Sequence, residues 1–316
     1  MGNFFTAIFI LLTLAIRPIQ PTEKCYKLAF GSCLGILGTE DTGILQEISA
    51  KNPDSFLWLG DIAYLDTPDF NDLWGWFSEP DRMARHRSRW ERTTSDPNFQ
   101  AFRNSTKWYH IWDDHDYGEN DGNKYYPHKE ANKQLYLEHM REPPSSPRWA
   151  RNGLYSSYNL DPSNQIKLLL LDQRYNKISL YESWTSDFAD TFGEEQWSWL
   201  ENEIKEFQGK FLILGSGMFF VTDDKIVPEY IYADTKRRVY ELLGKYGKGN
   251  VLVVSGDVHH GRVSVDRCAL EAVGYFFWDF TSSGLTHALG EGWVGWWIEN
   301  PHLRVLDPGT YATGEE

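Results

Sequence analysis

Six times in this sequence a short apolar run stops abruptly at a polar or glycine-bearing turn: "KLAF" at "GSC", "SFLWL" at "GDIAY", "WYHIW" at "DDHD", "IKLLLL" at "DQR", "FLIL" at "GSG" and "VLVVS" at "GDVHH". Runs this short and this apolar read as strands covered on both faces. Helical patterns separate them, notably "TGILQEISAK", "HKEANKQLYLEHM", "GEEQWSWLENEIKEF" and "DTKRRVYELLGKY". Such alternation of strand and helix implies a layered α/β fold. After residue 260 the texture changes to "RVSVDR", "ALEAVGYFFWDF" and "TSSGLTH", read as consecutive antiparallel strands. The stretch from Arg141 to Gly153 is the most linker-like, yet its flanks fit one continuous unit. A single catalytic domain over residues 25–316 is therefore expected.

In open α/β sheets, ligands gather at the carboxyl ends of strands. The chemistry-bearing residues of this chain stand where the apolar runs stop: Cys33, Asp61 with Tyr64, Asp114 with His115, Asp172 with Arg174, and Asp257 with His259 and His260. Each has an ordinary reading by itself. A Gly-Asp pair is common turn chemistry, a lone histidine is more often hydrogen-bonded than ligating, and a tyrosine usually packs. The segment "WDDHDYGEND", residues 112–121, is by itself equally a solvated acidic loop. Two strand-Gly-Asp turns, a strand-end cysteine and a strand-end "DDH" in one chain are harder to explain by turn chemistry alone. Carboxylates tolerate such crowding when multivalent cations sit among them.

The formal net charge is −14. Nucleic acid and anionic membranes are bound through basic surface, so neither is expected as a main partner. A phosphorylated substrate stays compatible with this charge, because bound cations reverse the local field. The apolar run from Phe4 to Ile16, bounded by Arg17 and Pro18, is short for a membrane span and has the length of a signal-peptide core. Residues 1–20 are expected to be a signal peptide, with an N-terminal anchor as the alternative. Met1-Gly2 with Thr6 also fits a myristoylation pattern, with which the apolar run competes. In an exported chain Asn104, in Asn104-Ser105-Thr106, is a glycosylation site. Of the three cysteines, Cys25, Cys33 and Cys268, an odd count leaves one unpaired in an oxidising compartment. If Cys25 and Cys268 pair, Cys33 is the free thiol.

"FGSC", "LGDIAY", "WDDHDYGEND", "LLLLDQR", "GSGMFF", "VVSGDVHHG" and "TSSGLTH" occur in an order that resembles the alkaline phosphatase D (PhoD-like) branch of the metallophosphoesterases. The resemblance spans roughly Tyr26 to His287. It implies a four-layer αββα sandwich with a polymetal site between the sheets, and hydrolysis of phosphate monoesters or diesters. It also implies ferric iron plus a second divalent metal, calcium in some relatives. On this chain Cys33 becomes a thiolate ligand and Tyr64 a phenolate ligand to the iron. Asp61 and Asp257 become bridging ligands, and His260, or as second choice His259, fills a further position. Relatives can carry asparagine where this chain has His260, and an imidazole suits iron, zinc or another transition metal better than calcium. Asp114 stands at a ligand position, Asn120 is a further candidate ligand, His115 is the expected leaving-group acid and Arg174 the expected grip on phosphate. Family chains usually continue past "TSSGLTH" with closing strands, so either those strands are missing from this sequence or a sheet edge is left open.

This predicts a secreted or membrane-anchored metal-dependent phosphoesterase acting on a phosphorylated small molecule or lipid-type substrate. Water activated by the metals would attack, with His115 protonating the leaving alkoxide. Membrane contact is expected only through an uncleaved leader. The alternative is a catalytically inactive relative that binds a partner through a tryptophan-rich surface, of which "LWGWFSEP", "SWTSDF" and "GWVGWWIEN" are the candidate segments.

Overall fold

All six apolar runs form strands, but they divide between two sheets. The computed structural model describes residues 26–35, 42–67, 79–221 and 231–286. Its elements in chain order are β1 (Leu28–Gly31), α1 (Ile44–Ala50), β2 (Ser55–Leu59), α2 (Glu79–Ser95), α3 (Pro97–Ser105), β3 (Trp108–Ile111), α4 (Asp114–Tyr117), α5 (Lys129–His139), a 3₁₀ turn (Pro147–Trp149), β4 (Ser156–Asn159), β5 (Ile166–Leu171), α6 (Leu180–Thr185), α7 (Gly193–Glu206), β6 (Phe211–Ser216), α8 (Ala233–Lys245), β7 (Val251–Ser255), β8 (Gly261–Asp266), α9 (Ala269–Val273) and β9 (Phe277–Ser282). The first sheet is parallel, in the order β1-β2-β3; the second is mixed, in the order β4-β5-β6-β7-β9-β8.

The strands are apolar on both sides because each side has a different neighbour. In β2, Phe56 and Trp58 pack on Phe99 and Phe102 of α3, while Leu57 reaches Gly215 of β6 across the space between the sheets. In β5, Leu168 and Leu170 join the core shared with the first sheet. Leu169 and Leu171 join a second core with Trp197, Leu200 and Ile204 of α7 and Val239 and Leu243 of α8. The period-two alternation of a strand thus feeds two cores at once. The two sheets face each other, with β1 against β9, β2 against β6 and β3 against β5. The fold is a mixed α/β single domain.

Two readings of the sequence need correction. "ALEAV" is the helix α9, ended by Gly274 at φ 84°, and β9 pairs parallel with β7 as well as antiparallel with β8. Residues 141–153 are no loose linker: Arg148 is buried, bonded to Glu142 (3.0 Å) and to the His110 carbonyl (2.9 Å). β4, "SSYN", has no apolar run to announce it and pairs antiparallel with β5. Cys33 and Cys268 are both free, the first buried and the second exposed, and Cys25 lies outside the described residues. The leader and the C-terminal segment from residue 287 also lie outside them. No described helix is long and apolar enough to cross a membrane.

The Arg148 group has a consequence for acid stability. Burial, and behind it Arg148, holds His110 down to about 4. A folded-state value below the unfolded one means that the unfolded chain takes up a proton that the native chain refuses. Stability is therefore lost as pH falls from about 6.5 towards 4. In urea titrations His110→Gln should lose about 2 kcal/mol less than the wild type between pH 7 and pH 5; an equal loss would mean that His110 does not titrate with folding.

Candidate metal centre

The turns after the strands are locked by backbone contacts between them. Cys33 N–H donates to the Gly60 carbonyl (3.3 Å), Leu34 N–H to that of Asp61 (2.8 Å), Leu65 N–H to that of His115 (3.1 Å) and Gly256 N–H to that of Gly217 (3.0 Å). Asp116, buried on α4, accepts from the amides of Ile62 (3.0 Å) and Ala63 (2.7 Å) and so shapes the turn that carries Asp61. Cys33, Asp61, Asp257 and His259 all have left-handed backbone, with φ of 58°, 53°, 76° and 58°. Non-glycine residues rarely accept that conformation unless the surroundings over-determine it, and such strain collects at functional sites. Gly60, at φ 91°, brings the Asp61 turn so close to Asp113 that an added Cβ would stand 2.3 Å from the Asp113 Cβ.

These turns assemble three donor sets whose ligand atoms lie within 4.8 Å of one another: Cys33, Asp61 and His259; Asp61, Asp114 and His115; and Asp61, Asp113, Asp114 and Asp257. Asp61 belongs to all three. Cys33 Sγ is 3.5 Å from Asp61 Oδ2 and 3.1 Å from Ser283 Oγ, which also accepts from the His259 amide (2.7 Å). Tyr64 is buried and stacks on the His115 ring at 4.1 Å. His115 Nδ1 is 2.6 Å from Asp66 Oδ1.

The electrostatics ask for positive charge. Burial, followed by the charges of Asp114 and Asp113, holds Asp61 well above the carboxylate range. Burial pushes Asp113 up to about 6 against the pull of Arg174, and Asp116 up to about 8. Burial and the Asp61 charge raise Cys33 to about 12 and Tyr64 above the ordinary phenol range. Asp114 is the exception: burial works to raise it, but Arg174 and His115 bring it down to about 2. Burial likewise opposes charge on His115, and Asp114 with Asp66 overcomes it, raising the imidazole to about 9. Asp113 Oδ2 is buried with no hydrogen bond. A multivalent cation would supply what these groups lack, replacing their protons and giving the orphaned oxygen a partner. Hard carboxylate oxygens beside a thiol, a phenol and an imidazole fit a transition metal on the Cys33 side and an oxygen-preferring or borderline cation on the carboxylate side.

The predicted residues fall into two groups. Cys33, Asp61, Asp114, His115, Asp257 and His259 come together, with Tyr64 on the His115 ring. His259, the second choice on sequence, is the histidine beside Cys33; His260 Nδ1 is 2.7 Å from the Val258 carbonyl, and His260 is in none of the three sets. Asn120 is exposed, donates to Asp121 (3.1 Å) and lines a cleft of about 300 Å³ with Asp66 and Glu119. Arg174 is fully buried, bonded through Nε to Asp113, with Nη2 3.6 Å from Asp114. Asn104 is exposed in the last turn of α3. Of the tryptophan segments, only Trp184 lies among the residues described in full, and it is 74 % exposed on α6. The sequence reading missed Asp113, although the doubled aspartate of "DDH" marked it. It also missed Asp66 and Ser283, which no local pattern distinguishes from turn residues.

The α/β fold gathers these donors at the strand ends of two facing sheets, where they could hold a metal ion. The family model of the PhoD-like phosphatases matches residues 28–292, and the chain belongs to that family. A solved structure of PhoD is similar in fold, with a TM-score of 0.67 and 22 % sequence identity over 83 % of this chain. The chain spans 56 % of that structure's length. No curated protein matches the chain.

Proposed function

We propose that this chain is a metal-dependent phosphoesterase that hydrolyses phosphate monoesters or diesters in an αββα sandwich. The observation that carries this reading is the buried set Asp61, Asp113, Asp114 and Asp257, crowded within 4.8 Å beside Cys33 and His259. Cys33, Tyr64, Asp61 and His259 would hold ferric iron. Asp61, Asp113, Asp114 and Asp257 would hold a second divalent metal, calcium by family resemblance, with zinc or another transition metal as alternatives. When bound, such cations lower the pKa of water and stabilise both the attacking and leaving oxygens of an in-line displacement.

The protein's own groups do the rest. Asp66 holds His115 at Nδ1, leaving Nε2 as the proton donor to the departing alkoxide, a role that contributes about 10²- to 10⁴-fold in rate. Tyr64 fixes the imidazole plane by stacking on it. Arg174 offsets part of the carboxylate charge from within the cluster. The exposed position of Asn104 suits glycosylation in a secreted chain, and secretion is part of the proposal. The substrate side is a phosphorylated small molecule or lipid-type ester.

The test is metal analysis of the purified protein with hydrolysis of nitrophenyl phosphate and bis-nitrophenyl phosphate. Bound metal and turnover of at least one ester are expected, and chelation should abolish turnover with recovery on metal addition. Turnover that survives complete metal removal, or a metal-loaded protein inert to both esters, would sink the reading.

A further inference from the structure

β3 ends the first sheet and β4 ends the second. A groove of about 750 Å³ opens between these two edges, walled by most of residues 141–148, the segment that reads as a linker in the sequence. None of its lining residues belongs to the three donor sets. Tyr109 of β3 and Tyr158 of β4 meet across the sheets at 4.6 Å, and Trp108 and Trp199 add to the aromatic lining. The chain carries a net charge of −14, yet here Lys107, Arg141, Arg148 and Arg151 stand against Glu142 and Glu203. Both acids are already matched. Glu142 accepts from Arg148 Nη1 (3.0 Å) and lies 3.2 Å from His110 Nε2, while Glu203 accepts from Ser157 Oγ (2.8 Å) and pairs with Lys167 Nζ (2.5 Å). Lys107, Arg141 and Arg151 make no ion pair among the described residues. Arg151 is set in place by its bond to the Tyr155 carbonyl, over the rings of Tyr155 (4.3 Å) and Trp199 (5.9 Å). Lys107 Nζ is 4.9 Å from the centre of the Tyr109 ring. The charge of Arg141 is also felt at Arg103, which burial and then Arg141 bring down to about 10.

An exposed cation by itself is worth little. Three in one concave wall act together, because a cleft lined by one sign of charge focuses field lines and raises the local concentration of counter-ions. The volume falls in the range of small-molecule sites, which combine aromatic lining with a few polar groups that fix orientation. A peptide strand is a poorer occupant, since the carbonyl of His110 on the outer edge of β3 is already taken by Arg148 Nη2 (2.9 Å). We propose that this groove is a binding site for a small organic anion with an aromatic part, its negative group meeting Lys107, Arg141 and Arg151 and its ring lying among the aromatic side chains. Arginine suits both halves of such a ligand, because its planar fork grips the oxygens of an anionic group and its face stacks on rings. The site is separate from the metal centre and does not depend on the phosphoesterase reading.

The test is fluorescence titration of the full chain with two dyes of the same aromatic frame, anilinonaphthalene sulfonate and the uncharged phenylnaphthylamine. The sulfonate should bind saturably at one site per chain, and the uncharged dye at least about tenfold more weakly, since hydrogen bonds to charged groups contribute roughly 1.5–3 kcal/mol. The double variant Arg141→Gln with Arg151→Gln should bind the sulfonate at least about tenfold more weakly and the uncharged dye as wild type does, with metal content unchanged. If near-ultraviolet circular dichroism shows that this variant has not folded, Lys107→Gln with Arg141→Gln replaces it, both side chains being exposed. Trp199→Leu should weaken both dyes. Equal affinity for the two dyes, no saturable binding, or a sulfonate affinity unchanged in the folded double variant would overturn the proposal. A light-scattering mass of a dimer that does not bind the sulfonate would also overturn it, and would assign the groove to a second copy of the chain.

Discussion

Asp61→Asn should empty the metal site and lower kcat/KM on nitrophenyl phosphate by at least about three orders of magnitude. Asp61 is common to all three donor sets, so one substitution weakens every one of them. Removing a single positioned transition-state contact costs about 10²- to 10³-fold, and this change removes the group that organises the others. Stability should move the opposite way in chelator. The Asp61 carboxyl is held well above its ordinary pKa by burial and by its aspartate neighbours. A raised folded-state value means that this group costs stability as pH rises from its unfolded value through its folded one. At neutral pH the chelated wild type bears that cost, and the neutral amide does not. Chelated Asp61→Asn should therefore melt above chelated wild type, and the order should invert once metal is supplied. A variant that retained metal and turnover would dismiss Asp61 as the shared ligand.

Gly60→Ala should be nearly as damaging, although it alters no donor. The residue has φ 91°, and the new methyl would stand 2.3 Å from the Asp113 Cβ and 2.6 Å from the Asp113 amide nitrogen. Left-handed backbone costs an L-residue such as alanine roughly 1–2 kcal/mol. Since the clash is with backbone, one of the two turns must also move, and a total loss of about 3 kcal/mol or more is expected. The displaced turn carries Asp113, Asp114 and His115, so metal content and turnover should fall together with the thermal midpoint. A near-native melting temperature and full metal content would show that the turns have room to separate.

Much of the fold was legible because buried parallel strands need apolar side chains on both faces, which marks "SFLWL", "IKLLLL" and "VLVVS" against any background. β4 was not, because an edge strand of Ser156, Ser157, Tyr158 and Asn159 buries little and so carries no apolar signature. α9 was misread for a related reason: "ALEAVGYFFWDF" runs a short helix almost straight into a strand, with Gly274, Tyr275 and Phe276 between them. At the site, Cys33, Asp61 and Asp257 stood out because each directly follows a strand and its Ser or Gly turn. The choice between His259 and His260 was not available from sequence. Adjacent residues leave the backbone in different directions, and the left-handed φ of 58° at His259 decides which ring meets Cys33.

Arg174 shows the same limit more sharply. A guanidinium after a strand suits a phosphate oxygen, but nothing in the sequence signals that Asp113, from the turn after β3, takes its Nε, while Nη1 and Nη2 stay buried without a hydrogen bond. Sequence by itself determined which residues end strands and therefore which could share one rim, because hydrophobic period and turn chemistry are local properties of the chain. Only the tertiary structure decided which of them meet and which carboxylates stand beside Arg174. Charge pairing and ligand distance depend on groups brought together from opposite sheets, and no local pattern encodes that meeting.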